Sequence, residues 1–153
     1  VLALKREETS ELFVDQLYKP HELMDMLPQC DFVVVSLPLT EETKGLLTLE
    51  QFRAMKSSAY FINIARGEVL VEEDLITALQ EGYIRGAGLD VFAQEPLPAD
   101  SPLWDLPNVI ITPHVAALSP YYLDRAIKLF ADNLTRLIHD REMFNIVDKA
   151  KGY

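Results

Sequence analysis

One cysteine in 153 residues, Cys30, excludes an internal disulfide, and no apolar run approaches the roughly 18 to 20 residues a helix needs to cross a bilayer. The first residues carry no basic segment followed by an apolar stretch and a small-residue cleavage site, so the expectation is a soluble cytoplasmic protein with no membrane partner. Basic residues are scarce: 14 Lys and Arg stand against 24 Asp and Glu, a formal net charge of -10. That balance disfavours a nucleic-acid surface, because phosphate backbones demand clustered cations. No metal site is expected either, since His21, Cys30, His114 and His139 lack the short spacing of zinc ligands. Met24, Met26 and Met55 read as core filling, and Cys30 as a buried, inert thiol. Repeats, low-complexity tracts and Gly/Ser linkers are missing. What remains, 49% hydrophobic and 25% charged, is the balance of one globular domain or a piece of one, with small-molecule chemistry as the default.

Short apolar runs alternate with helix-like segments of about ten to fifteen residues, the pattern of parallel βαβ units. Residues 1–4 read as a strand already under way. After Pro20, residues 21–27 suggest a short helix, and 31–36 is apolar on both faces, as a strand covered on both sides requires. Thr48 and Gln51 fit a capping box, with Leu49, Phe52 and Met55 following at helical spacing. A second helix starts near Glu72, with Leu75, Ala78 and Leu79 as its apolar face and Gly82 as its left-handed end. Residues 59–64, 87–92 and 109–112 read as further strands. Ser119 and Pro120 resemble an N-cap and first helical position, and Leu123, Ala126, Ile127, Phe130, Leu134, Leu137 and Ile138 follow as a long amphipathic stripe. Trp104 reads as a large apolar anchor.

Four strands hand over to polar or turn groups at their carboxyl ends: Ser36 to Pro38, Asn63 to Arg66, Asp90, and His114 after Pro113. In an open α/β sheet the ligand crevice lies outside those ends, so groups far apart in sequence converge. Arg66, followed by Gly67 in a tight turn, could grip a carboxylate through two parallel hydrogen bonds; the plain alternative is a surface arginine. His114 is the histidine best suited to carry protons near neutrality, although a hydrogen-bonded structural role is open to it. Glu95, in a Pro-rich loop, could fix an imidazole's tautomer or simply be solvated.

Asn63-Ile64-Ala65-Arg66-Gly67, then Gly88-Leu89-Asp90-Val91-Phe92 leading to Glu95-Pro96, then Thr112-Pro113-His114-Val115-Ala116 resemble, in order and spacing, the D-isomer-specific 2-hydroxyacid dehydrogenases. Ser36-Leu37-Pro38-Leu39-Thr40, Thr43-Lys44-Gly45-Leu46 and the closing Asn145-Ile146-Val147-Asp148 to Gly152-Tyr153 are also similar, so the resemblance covers essentially the whole chain. Within the family it looks most like the glyoxylate/hydroxypyruvate reductase and phosphoglycerate-dehydrogenase-like members. The resemblance implies a hydride passed between the nicotinamide of NAD(P) and C2 of a small 2-keto or 2-hydroxy acid. It assigns Arg66 to the substrate carboxylate, His114 to the proton at the forming or departing alkoxide, and Glu95 to keeping His114 protonated. Asp90 would receive the nicotinamide carboxamide, and Leu37, Pro38, Thr43, Ile64, Ala65, Arg66, His114 and Ala116 would line the cofactor. It also implies a homodimer.

Two departures qualify that likeness. A dinucleotide-binding unit opens with strand, G-x-G-x-x-G and helix, and this sequence contains no such loop. Residues 1–4 match the second strand of such a unit, so the chain resembles the carboxyl-terminal half of the family: an incomplete Rossmann-like doubly wound parallel sheet over 1–118, and a long helix and tail over 119–153 returning to a substrate domain. The other departure is charge. NAD sites end the second strand with Asp or Glu, whereas here Lys5 and Arg6 follow Leu4, which favours NADP over NAD; Glu7 and Glu8 come next and pull the other way. The chain alone is expected to bind dinucleotide weakly and turn over little. The competing readings are a dinucleotide-sensing module akin to the family's corepressors, and an inactive truncated product.

Overall fold

The computed structural model describes residues 1–6 and 12–150; Glu7 and Glu8 of the charge argument, and Gly152 and Tyr153 of the closing segment, lie outside the described residues. The chain divides into two compact units, Val1–Pro113 and His114–Tyr153.

In the first unit the strand-forming runs build two parallel sheets. β1 (Leu2–Leu4) pairs with β2 (Gln16–Tyr18), a three-residue strand whose mixed Gln-Leu-Tyr composition offers too little periodicity to be read from sequence. β3 (Phe32–Val35), β4 (Tyr60–Asn63), β5 (Gly86–Leu89) and β6 (Val109–Ile111) lie side by side in that order, all parallel. Between β2 and β3 the short helix expected over 21–27 is one turn of α-helix, α1 (Leu23–Met26), flanked by 3-10 turns at Pro20–Glu22 and Leu27–Gln29.

The crossovers follow local sequence rules. α2 (Leu49–Ala54) opens with the expected capping box: the Glu50 amide donates to the Thr48 hydroxyl at 3.4 Å and the Thr48 amide to Gln51 Oε1 at 2.9 Å. α3 (Glu72–Gln80) buries Leu75, Ala78 and Leu79 and ends where Gly82 turns left-handed at φ +71°. There the Tyr83 amide returns to the Ala78 carbonyl at 2.9 Å, satisfying one of the carbonyls a helix end leaves open. The Asp74 carboxylate accepts from the Leu49 amide, tying the start of α2 to α3.

One face of the larger sheet builds the core with these helices. Phe52 and Phe61, both fully buried, meet edge to face with ring centroids 5.2 Å apart, among Leu27, Leu75, Ile84 and Leu103. The expectation that the 31–36 strand is covered on both faces fails. Val33 and Val35 are buried, but Phe32 is 66% and Val34 57% exposed, because the crossover helices α2 and α3 pack on the side that Val33 and Val35 face. Trp104, read as a large apolar anchor, lies half exposed and donates its indole N–H to the Pro98 carbonyl, while its neighbour Leu103 fills the core. Cys30 is half-buried, its thiol donates weakly to the Met26 carbonyl, and burial pushes its pKa up.

The second unit is dominated by α4 (Tyr122–Ile138). It begins later than Ser119-Pro120 implied: Tyr121 is the N-cap without a side-chain bond, and the Ser119 carbonyl instead accepts from the Tyr122 amide in the preceding turn. At the other end Asn133 clasps Phe144, its amide donating to the Phe144 carbonyl and its oxygen accepting the Phe144 amide, while the Arg136 guanidinium lies 3.8 Å over the Phe144 ring.

Candidate functional site

In-register pairing is what assembles the site in the first unit. Val35, Asn63, Leu89 and Ile111 are successive partners across β3 to β6, so the residues that follow them emerge along one edge of the sheet. These are Ser36 to Pro38, Ile64 to Arg66, Asp90 and Thr112, and they are brought together as the strand order requires.

Asn63 organises the Arg66 turn. It is fully buried, its side-chain oxygen accepts from the Ala65 amide at 3.0 Å, and its side-chain amide donates to the Arg66 carbonyl at 3.1 Å. Its backbone carbonyl accepts the Asp90 amide at 3.0 Å, joining the ends of β4 and β5. Gly67 then lets this turn press on the next loop. A Cβ there would fall 1.9 Å from the Phe92 carbonyl carbon, an approach that only glycine permits. The Glu72 carboxylate, at the start of α3, accepts the Ala93 amide at 3.0 Å and holds the same loop from the other side.

On this frame Arg66 is exposed, with its guanidinium donating to the Ala65 carbonyl at 2.6 Å. Asp90 is only 4% exposed, and Oδ1 accepts a short hydrogen bond from the Thr112 hydroxyl. Glu95 is exposed and its Oε1 accepts the Phe92 amide at 3.1 Å, which curls the loop back on the end of β5. Thr43 closes the loop after β3: its hydroxyl donates to the Pro38 carbonyl at 2.6 Å and accepts the Thr40 amide at 2.8 Å. Leu37 is half-buried, Pro38 exposed, Ala65 buried and Ile64 45% exposed. Arg6 pairs with Glu42 at 3.1 Å, beside Lys5, whose amide donates to the Tyr18 carbonyl.

His114 and Ala116 open the second unit. His114 is exposed and holds a left-handed backbone at φ 54°, an uncommon conformation for a residue with a side chain. Among the described residues no cluster of metal-ligating side chains forms, and no helix is long and apolar enough to cross a membrane.

Sequence reasoning did not assign the supporting roles of four residues. Asn63 was read only as a polar group at a strand end, whereas it holds the Arg66 turn through two hydrogen bonds. Gly67 was read as permitting a turn, whereas its role is the close approach to Phe92. Thr112 and Glu72 gave no local sign, since their partners lie 22 and 21 residues away.

Residues 1–116 match the family model described as "D-isomer specific 2-hydroxyacid dehydrogenase, NAD binding domain". Over 96 residues, 63% of this chain and 30% of the relative, the sequence is 56% identical to glyoxylate/hydroxypyruvate reductase B of Escherichia fergusonii. The crystal structure of a D-isomer specific 2-hydroxyacid dehydrogenase from Xanthobacter autotrophicus, in complex with NADPH and MES, superposes with a TM-score of 0.88 at 33% identity, covering 100% of this chain and 72% of that one. An NADPH-dependent glyoxylate/hydroxypyruvate reductase from Sinorhizobium meliloti, in complex with NADP and sulfate, gives 0.89 at 33% identity over 99% of this chain and 49% of its own. The chain thus spans well under two thirds of the curated reductase and about half of the Sinorhizobium enzyme. On the match over residues 1–116, the chain belongs to the D-isomer specific 2-hydroxyacid dehydrogenase family, within its NAD-binding domain.

Proposed function

We propose that this chain serves an NAD(P)-dependent oxidoreductase of small 2-keto and 2-hydroxy acids of the glyoxylate and hydroxypyruvate kind. The observation that carries the reading is the Arg66 turn, locked by buried Asn63 and seated through Gly67 against the Asp90 to Glu95 loop. A guanidinium on so fixed a turn suits a carboxylate that must be held in one orientation. The buried Asp90 carboxylate at the strand ends fits the amide of a nicotinamide carboxamide. Leu37, Pro38, Thr43, Ile64, Ala65 and Ala116 would line that group, and Lys5 and Arg6 would meet a 2′-phosphate, which favours NADP; Arg6 would then exchange Glu42 for phosphate. When bound, the nicotinamide supplies or accepts the hydride.

The chain's own residues would do the rest. Arg66 holds the substrate carboxylate and polarises the adjacent keto group. His114 gives a proton to the C2 oxygen in reduction and takes it in oxidation, and Glu95 keeps the imidazole charged before it gives. Residues 1–118 read as an incomplete nucleotide-binding domain and 119–153 as the segment leading to a substrate domain. A cytoplasmic homodimer completes the proposal.

The test is keto-acid-dependent loss of NADPH absorbance by the natural gene product, with glyoxylate and hydroxypyruvate and with NADH in parallel. Replacing His114 by Ala should lower kcat by about 100- to 10,000-fold, the usual contribution of a positioned proton carrier. Inactivity of the folded natural product on a panel of such acids with both cofactors would overturn the reading.

A further inference from the structure

Asp90 and Thr112 are the next residues along two neighbouring strands, since Leu89 and Ile111 pair in register across β5 and β6. Two backbone bonds fix the ground on which their side chains meet. The Asp90 amide donates to the Asn63 carbonyl at 3.0 Å, and the Thr112 amide to the Leu89 carbonyl at 2.9 Å. Asp90 stands between Leu89 and Val91, both buried, and is itself buried. A carboxyl group so placed costs free energy unless it is hydrogen-bonded. The Thr112 hydroxyl supplies one such bond, to Oδ1.

That bond does more than satisfy an oxygen. The last torsion of an aspartate joins a tetrahedral carbon to a planar one and is broad, so burial alone does not choose the plane of the carboxylate. Threonine is suited to choose it, because two heavy atoms on Cβ leave its first torsion few options and its backbone is tied to β5. With Oδ1 held by a donor of fixed position, the plane of the group and the bearing of both oxygens follow. A hydroxyl donor is needed for this. Serine keeps it, whereas valine keeps only the branched shape.

The proposed function places the carboxamide of a nicotinamide at Asp90. Resting on that reading, we propose that Thr112 is a positioning residue whose hydroxyl sets the orientation in which the Asp90 carboxylate meets the carboxamide. Recognition of the carboxamide then depends on a side chain that acts through Asp90. An acceptor oriented in advance needs no reordering when its ligand arrives, so the binding energy of the new bonds is not spent on arranging the site. Thr112 therefore contributes to holding the nicotinamide end of a dinucleotide and not to holding its adenosine end.

The test is calorimetric binding to the natural gene product and to its Thr112→Val and Thr112→Ser variants. The probes are NADP or NAD in the oxidised form, whichever binds more tightly; its acetylpyridine analogue, in which a methyl ketone replaces the carboxamide and its N–H donors; and the matching fragment without nicotinamide, 2′,5′-ADP or ADP. The parent should prefer the natural dinucleotide to the analogue by about tenfold or more, as expected for a hydrogen bond to a charged group. Thr112→Val should cut that preference to within about threefold and Thr112→Ser should retain it, while the fragment binds parent and variants alike. An undiminished preference in Thr112→Val overturns the proposal and leaves the dehydrogenase reading standing. So does a loss of fragment affinity in Thr112→Val that matches its loss for the dinucleotide, the mark of general damage to the fold. A parent that binds no dinucleotide, or binds the analogue as well as the natural one, overturns the reading of Asp90 and the role of Thr112 with it.

Discussion

Two helices of this chain carry the same kind of message and meet different fates. α3 has nine residues and buries Leu75, Ala78 and Leu79; α4 has seventeen, a longer apolar stripe, and buries none. Leu123, Ile127, Phe130, Leu134, Leu137 and Ile138 are all exposed, between 47% and 69%. Amphipathic spacing states that a helix needs an apolar partner, and it is silent on which surface that partner is. For α3 the partner is the adjoining face of a sheet built from the strands on either side of it in sequence. The sheet shows the same contrast within single strands. Phe61 is buried and its neighbour Tyr60 is 39% exposed, because successive side chains point to opposite faces and the crossover helices cover one of them.

The largest test of this contrast is Leu75→Ala, which should destabilise the first unit by about 2–5 kcal/mol in urea titrations, since a fully buried leucine leaves a cavity. Phe130→Ala on α4, the larger truncation by volume, should shift stability by less than about 0.5 kcal/mol, as for exposed positions generally. A loss above about 2 kcal/mol at Phe130 would break the comparison by showing that the stripe is covered in solution.

Asn63→Ala comes next. It strands the Ala65 amide and the Arg66 carbonyl in a buried turn and should cost about 1–3 kcal/mol. On the proposed reductase reading, the natural gene product carrying it should also show a higher KM for the keto acid than the Leu75→Ala variant, because the Arg66 turn is released. Equal KM values for the two variants would remove Asn63 from the positioning role.

The smallest effects separate the two helix starts. Thr48→Ala removes a side chain that caps α2 and should cost about 1 kcal/mol by thermal or urea melting. Ser119→Ala should be within about 0.5 kcal/mol of neutral, because Tyr121, not Ser119, occupies the cap of α4. A larger effect at Ser119 than at Thr48 would reverse the assignment of the cap.

What could be read in the sequence is what local chemistry decides. The Thr48 and Gln51 capping box, the left-handed Gly82 and the buried face of Leu75, Ala78 and Leu79 each depend on residues a few positions apart, and each is found where periodicity and capping rules put it. The family was legible too, because the Arg66, Asp90 and His114 segments are short strings whose order survives in one dimension. β2 was not legible: three residues supply too little pattern to stand out. The reading of 31–36 as doubly covered failed for a related reason, since an apolar side chain registers the same whether or not anything lies over it.

By itself, then, the sequence determined the strands and helices with strong local codes, the acidic net charge, and the family to which the Arg66, Asp90 and His114 segments belong. Only the tertiary structure decided that Asn63 pins the Arg66 turn, that Gly67 is needed for backbone contact with Phe92, that Thr112 meets Asp90, and that Phe32 and Val34 are exposed while Val33 and Val35 are buried. The physical reason is distance along the chain. Caps and periodic faces act within one or two turns, whereas sheet register brings together residues more than twenty positions apart, whose partners no local pattern names.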